Sequence, residues 1–270
     1  MFKKCVYAML AIGLGLVLAP QAMAYNGTYT PGVGINNSPH DLGVPNQNGM
    51  IYPANPADAL QRKCIWCHAP HNTFRLSTAT SGGGLPAPAA FNYLPLWNHT
   101  LTGFTTNFTM YDNGTGGPQN LADPKALQVR GQMTPGSVSL LCLSCHDGSI
   151  AVNSYGNASG QLAGSVSNGT NLMVSAYQIG TAKYLGNHHP IGFDYTLTNV
   201  DTEIRDADTF NMTPTQPISA FLAAGKMECS TCHSVHNKGN GGETLLWRSD
   251  RNSELCLTCH DKGIYVPPTP

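Results

Sequence analysis

Cys229-Ser230-Thr231-Cys232-His233-Ser234-Val235-His236-Asn237 is followed by Cys256-Leu257-Thr258-Cys259-His260, with 22 residues between His233 and Cys256, and this stretch decides how the chain folds. The pattern Cys-x-x-Cys-His recurs upstream at Cys64-Ile65-Trp66-Cys67-His68 and at Cys142-Leu143-Ser144-Cys145-His146. Eight of the nine cysteines therefore lie in four copies of one motif, and the ninth, Cys5, stands near the N-terminus. Paired cysteines also occur in zinc sites and in disulfide frameworks, but neither chemistry requires a histidine directly after every pair.

The geometry of the motif favours another chemistry. Two thiols three residues apart on one helical turn meet the two vinyl groups on one edge of a porphyrin. The histidine that follows reaches the iron from one face. The chain is accordingly expected to carry four haem c groups. Cys64, Cys67, Cys142, Cys145, Cys229, Cys232, Cys256 and Cys259 are the attachment residues, and His68, His146, His233 and His260 the proximal iron ligands.

The sixth ligand of each iron separates a carrier from a catalyst, because an open position binds substrate and a closed one favours electron transfer. Six further histidines are available: His40, His71, His99, His188, His189 and His236. They suffice to close every iron. The alternative sixth ligand is methionine, but Met50, Met110, Met133, Met173, Met212 and Met227 sit in no context that ties them to a haem. Coordination by two histidines per iron is therefore expected, with potentials below those of His/Met cytochromes.

The rest of the chain is consistent with a fold organised by cofactors. Of 270 residues only 11% are charged, while 29 are Gly and 19 are Pro. Such a chain is loop-rich and poor in helix. Long stretches dominated by Gly, Asn, Ser and Thr (81–90, 113–120 and 153–171) carry no periodic pattern, and loops of that length suit a chain that wraps bound groups. Short helices are expected from Asn55-Pro56-Ala57-Asp58 into Cys64, from Thr134-Pro135 to Cys142–Cys145, and from a cap at Asp250 or Asn252 into Cys256. Alternation over Phe104–Tyr111 suggests one short strand. The expected fold is mostly coil with short α-helices and little β, organised around four covalently bound haems.

Residues 1–24 read as a cleaved signal peptide: a basic start at Lys3-Lys4, an apolar run from Cys5 to Ala19, and Ala22-Met23-Ala24 at the end. Residues 25–55 read as an extended N-terminal arm, and 56–270 as the tetrahaem domain. No later segment is apolar for long enough to span a membrane. Loss of Lys3 and Lys4 leaves 12 basic against 15 acidic side chains, a formal charge of −3. With no basic stripe, nucleic acid is not an expected partner.

The shared extension in Cys64–His68-Ala69-Pro70-His71-Asn72 and Cys229–His233-Ser234-Val235-His236-Asn237 resembles the doubled-CXXCH domain of multihaem cytochromes. Pro95–His99, Leu141–Gly148 and His189–Phe193 look like segments of the same family. Val235 departs from the proline usual there. The overall likeness is to the extracellular tetrahaem cytochromes of metal-reducing bacteria, the OmcE type, which polymerise into filaments. That resemblance implies His71, His189 and His236 as distal ligands. It also implies that His40, on the arm, caps a haem of an adjacent subunit in a head-to-tail polymer; His99 and His188 are reserves. The implied function is electron transfer, from the cell surface to redox partner proteins or extracellular metal oxides. The implied location is secreted or outer-surface, with the periplasm as the alternative. Competing readings are a discrete periplasmic tetrahaem shuttle, a reductase of a small nitrogen compound, and a subunit of an outer-membrane conduit.

Overall fold

The computed structural model describes residues 32–43, 62–70, 96–99, 108–111, 135–155, 172–196, 201–238, 243 and 245–269. Within them are three short helices: α1 (Ser137–His146), α2 (Cys229–Cys232) and α3 (Glu254–Cys259). Four strands of two or three residues accompany them: β1 (Phe193–Asp194), β2 (Asn211–Thr213), β3 (Gln216–Pro217) and β4 (Lys226–Met227). β1 pairs antiparallel with β4, placing Phe193 opposite Met227, and β2 pairs antiparallel with β3. Most of the described backbone is coil and turn, with few helices and little strand.

Every Cys-x-x-Cys unit is one helical turn. The amide of the motif histidine donates to the first cysteine's carbonyl, at 2.7 Å for His68, 3.1 Å for His233 and 2.9 Å for His260. At the third and fourth sites the chain then turns extended, with His233 at φ −101°, ψ 125° and His260 at φ −96°, ψ 125°. His68, His233 and His260 each form an isolated β-bridge, to Trp97, Leu246 and Ile204 respectively. His146 instead closes α1 and accepts the Ile179 amide at 2.7 Å. A motif histidine is thus pinned on both sides of its Cα, which fixes where its imidazole points.

Two apolar clusters hold these turns together. The larger contains Trp97, Met110, Leu140, Leu141, Leu143, Leu185, Phe193 and Met227, with Cys67 and Cys232 packed against it. The smaller contains Trp66, Val152, Tyr155 and Met173, with Cys67 and Cys145 at its edge. Trp66 is 1% exposed, tilts against Tyr155 with ring centroids 4.8 Å apart, and donates its indole N–H to the Arg62 carbonyl at 3.0 Å. These cores are small, and most of the loops they would otherwise have to organise run between attachment sites.

Glu228 joins two of the sites. It is the N-cap of α2, where its carboxylate accepts the Thr231 amide and the Thr231 hydroxyl accepts the Glu228 amide at 3.0 Å. The same carboxylate accepts the Gly136 amide at 2.9 and 3.2 Å and the Ser139 hydroxyl, both at the start of α1. A side chain at Gly136 would place its Cβ 2.2 Å from Glu228 Oε1, so only glycine admits this approach. The helices bearing Cys142 and Cys229 are therefore clamped end to end.

Several expectations need correction. The helix into Cys64 falls mostly outside the described residues, and at its described end only the single turn Cys64–His68 forms. α3 begins after a short turn, Arg251–Ser253, and neither Asp250 nor Asn252 caps it with a side chain. Asn252 and Ser253 both take positive φ (51° and 61°), and that reversal sets the start of the helix. Of the proposed strand, 104–107 lie outside the described residues, and Thr109 makes only an isolated parallel bridge to Tyr184. The arm is not extended over 32–43: it folds into successive turns closed by Ser38 N–H to Ile35 O and Asp41 N–H to Ser38 O. It also docks on the body, through backbone pairing of Val33 with Lys238 and an ion pair between Asp41 and Lys63 at 2.7 Å. The leader at 1–24 lies outside the described residues, among which no helix is long and apolar enough to cross a membrane.

Candidate haem sites

Three motif histidines each face a second imidazole across a similar gap. Ring centroids are 6.3 Å apart for His68 and His236, 6.3 Å for His146 and His40, and 6.2 Å for His260 and His189. Two metal–nitrogen bonds of about 2.0 Å, each extended by about 1.2 Å from nitrogen to ring centre, span about 6.4 Å. The gaps are the size a single coordinated metal ion fills. Edge-to-face ring contacts reach the same distance, so it is the partnering of each of these motif histidines with a second imidazole at that gap that points to a metal.

The outward nitrogens support the same reading. Nδ1 of His40 lies 2.9 Å from the Val235 carbonyl, Nδ1 of His146 2.9 Å from that of Tyr177, and Nδ1 of His189 2.9 Å from that of Pro190. Nδ1 of His233 approaches the Leu245 carbonyl at 3.3 Å. A carbonyl can only accept, so each Nδ1 carries the ring proton and each Nε2 keeps its lone pair. Ligating histidines are oriented in this way, by a carbonyl or carboxylate on the far nitrogen. Burial pushes His40 down to about 4 and lowers His146, His233, His236 and His260 from the ordinary imidazole range. These rings are neutral at physiological pH, the form that binds metal.

The thiols behave differently from those of zinc or redox sites. Such sites depend on stabilised thiolates. Here burial raises Cys67 and Cys232 to about 12 and lifts Cys145 and Cys259 as well. Cys142 and Cys229 perturb one another, which raises the first and lowers the second. The eight described thiols are free, and among the described residues no group of three or more His, Cys, Asp or Glu is placed to hold a bare metal ion. Half-buried thiols such as Cys67 and Cys232, held in the protonated form beside paired neutral imidazoles, fit a haem that is linked by thioethers and capped on both faces.

The first three sites are joined in sequence order. Cys67 and Cys145 both pack at the edge of the Trp66 cluster, and the Cys229 amide donates to the Ser139 hydroxyl at 3.1 Å beside the Glu228 clamp on the helix that bears Cys142.

The remaining sequence candidates sort as follows. His71 lies outside the described residues. His99 is fully buried; its Nε2 lies 3.1 Å from the Ala151 carbonyl and 3.4 Å from Cys145 Sγ, and its ring faces Trp97. His188 is half-buried and faces no motif histidine among the described residues. Met110 and Met227 belong to the larger apolar cluster and Met173 to the smaller, while Met212 is 1% exposed; these four are core residues. The His40 ring stands beside His146 of its own chain, with centroids 6.3 Å apart. Sequence reasoning missed Glu228, whose only signal is an acid at the first position of a capping pattern that ends on Thr231.

Among known families, the model described as the doubled CXXCH motif matches residues 222–264, which hold the third and fourth sites. No curated protein and no solved structure matches the chain. The chain thus carries a doubled CXXCH motif, a feature of multihaem c-type cytochromes, and its CXXCH units mark covalently bound haem c.

Proposed function

We propose that the chain transfers electrons through four c-type haems lined up in sequence order, each iron held between two histidines. The observation that carries this reading is the recurrence of one imidazole gap, 6.2–6.3 Å, at the first, second and fourth sites. The assignments are His68 with His236, His146 with His40, and His260 with His189. His233 is left for His71, which matches the reciprocal exchange already made by His236. A bound haem supplies a one-electron iron couple at low potential when both axial ligands are imidazole. The chain's residues fix the ligand tautomers and, through Glu228, hold the second and third attachment sites together. Closed irons also speak against a reductase of a small nitrogen compound.

A soluble shuttle is the reading in which His40 serves the second site of its own chain. The filament remains the finer part of the reading and rests on the resemblance. It would form by exchange of the 32–43 arm between copies, which keeps every arm contact and links protomers head to tail without closing a ring. Export through the 1–24 leader and delivery to extracellular metal oxides or redox partner proteins belong to the same proposal. Two measurements test it on the exported protein. Intact mass should show four haem additions, and carbon monoxide added to the reduced wild type should leave the spectrum unchanged. Fewer additions, or stoichiometric carbon monoxide binding, would overturn it. Electron microscopy of the same material separates filament from shuttle.

A further inference from the structure

We propose that Asn237 is a positioning residue for the second haem site: it latches the N-terminal arm so that His40 caps that iron, and releasing the latch opens that iron alone to carbon monoxide. The inference rests on the ligand pairing proposed above. Asn237 is fully buried although its backbone has a φ of 51°. Its Oδ1 accepts the amides of Gly32 and Leu245, both at 3.3 Å, and its Nδ2 donates to the Gly34 carbonyl at 2.9 Å. Its own carbonyl accepts the Gly34 amide at 2.8 Å. One side chain therefore ties the arm to the segment joining the third and fourth sites. Six residues beyond Gly34, the His40 ring stands beside His146 with its Nδ1 on the Val235 carbonyl, two residues before the latch.

Chain connectivity makes this ligand different from the others. His71, His189 and His236 each lie between two attachment sites, so covalent links on both sides return them to their irons. His40 precedes every attachment site and is tethered on one side only, through the 23 residues that lead to Cys64. Loss of arm contacts therefore frees His40 into a large volume, at a closure entropy the other three do not face. The exchange involves no electron transfer: the bond from His40 Nε2 to iron breaks and carbon monoxide takes the position.

Asn237→Gly removes the amide and keeps the positive φ without strain. The apparent affinity of carbon monoxide scales with the fraction of protein whose second iron is open. Reduced Asn237→Gly holoprotein with four haems is expected to bind one carbon monoxide per chain, at least tenfold more tightly than wild type. Reduced His40→Ala should bind one per chain regardless of the latch, and the double variant should match His40→Ala. Wild-type affinity in Asn237→Gly, beside one bound ligand in His40→Ala, would overturn the latch. So would more than one ligand per chain in Asn237→Gly. Four haems but no binding in His40→Ala would instead overturn the ligand pairing itself.

Discussion

Replacing Glu228 with alanine should loosen the joint between the second and third attachment sites, and the structure allows its cost to be worked out. The carboxylate accepts the Gly136 amide, the Ser139 hydroxyl and, as a helix cap, the Thr231 amide. Each such bond contributes about 1 kcal/mol net, so the three together contribute about 3 kcal/mol. Urea unfolding of the holoprotein at 25 °C should show a lower midpoint with an unchanged slope. Burial raises the Glu228 carboxyl above its usual range, so the folded chain holds this proton to higher pH than the unfolded chain does. Its favourable share of stability is complete below the ordinary carboxylate value of about 4.3 and declines as pH rises through the folded value. Glu228→Gln keeps the shape, should cost about 1 kcal/mol, and should remove this decline. A loss below about 1 kcal/mol in Glu228→Ala, or the same pH dependence in Glu228→Gln as in wild type, would refute the clamp.

Other consequences are open to test. Haem-free chain exposed to a mild oxidant should trap a crosslink between Cys142 and Cys229, which stand on helices joined through Ser139 and Glu228; peptide mapping that finds neither residue crosslinked would count against this junction. Trp66→Ala should destabilise the holoprotein by about 3–5 kcal/mol, as truncation of a buried aromatic does, measured by the same urea titration. His189→Ala should open the fourth site, giving one carbon monoxide per chain on reduction, whereas His188→Ala should bind none. His99→Phe should retain four low-spin haems, because the His99 Nε2 is engaged by the Ala151 carbonyl and Cys145 Sγ; a high-spin signal in that variant would make it a ligand.

Parts of the fold were legible because they are local. Thr134-Pro135 announced α1 within a few residues, and each Cys-x-x-Cys-His unit announced its own helical turn. The ligand pairs were not legible from spacing, since their members stand 106, 168 and 71 residues apart, for His40 with His146, His68 with His236 and His189 with His260. No periodicity reports a contact of that range. The β-bridges that orient His68, His233 and His260 are single-residue pairs, too short to leave an alternating pattern. The arm was misread for a related reason. Gly, Asn and Pro suggest extension when counted as composition, but here they form successive turns whose amides and carbonyls find partners on Asn237. Glu228 is not legible in the sequence because its partners at Gly136 and Ser139 are about ninety residues away.

Electron paramagnetic resonance of the fully oxidised holoprotein tests the central claim most directly, since it reports both the number of irons and what caps them. Low-spin ferric signals integrating to four per chain, with no stoichiometric high-spin component, are the expected result. A high-spin iron in unit proportion, or an integral short of four, would contradict an array of four haems each closed by two histidines.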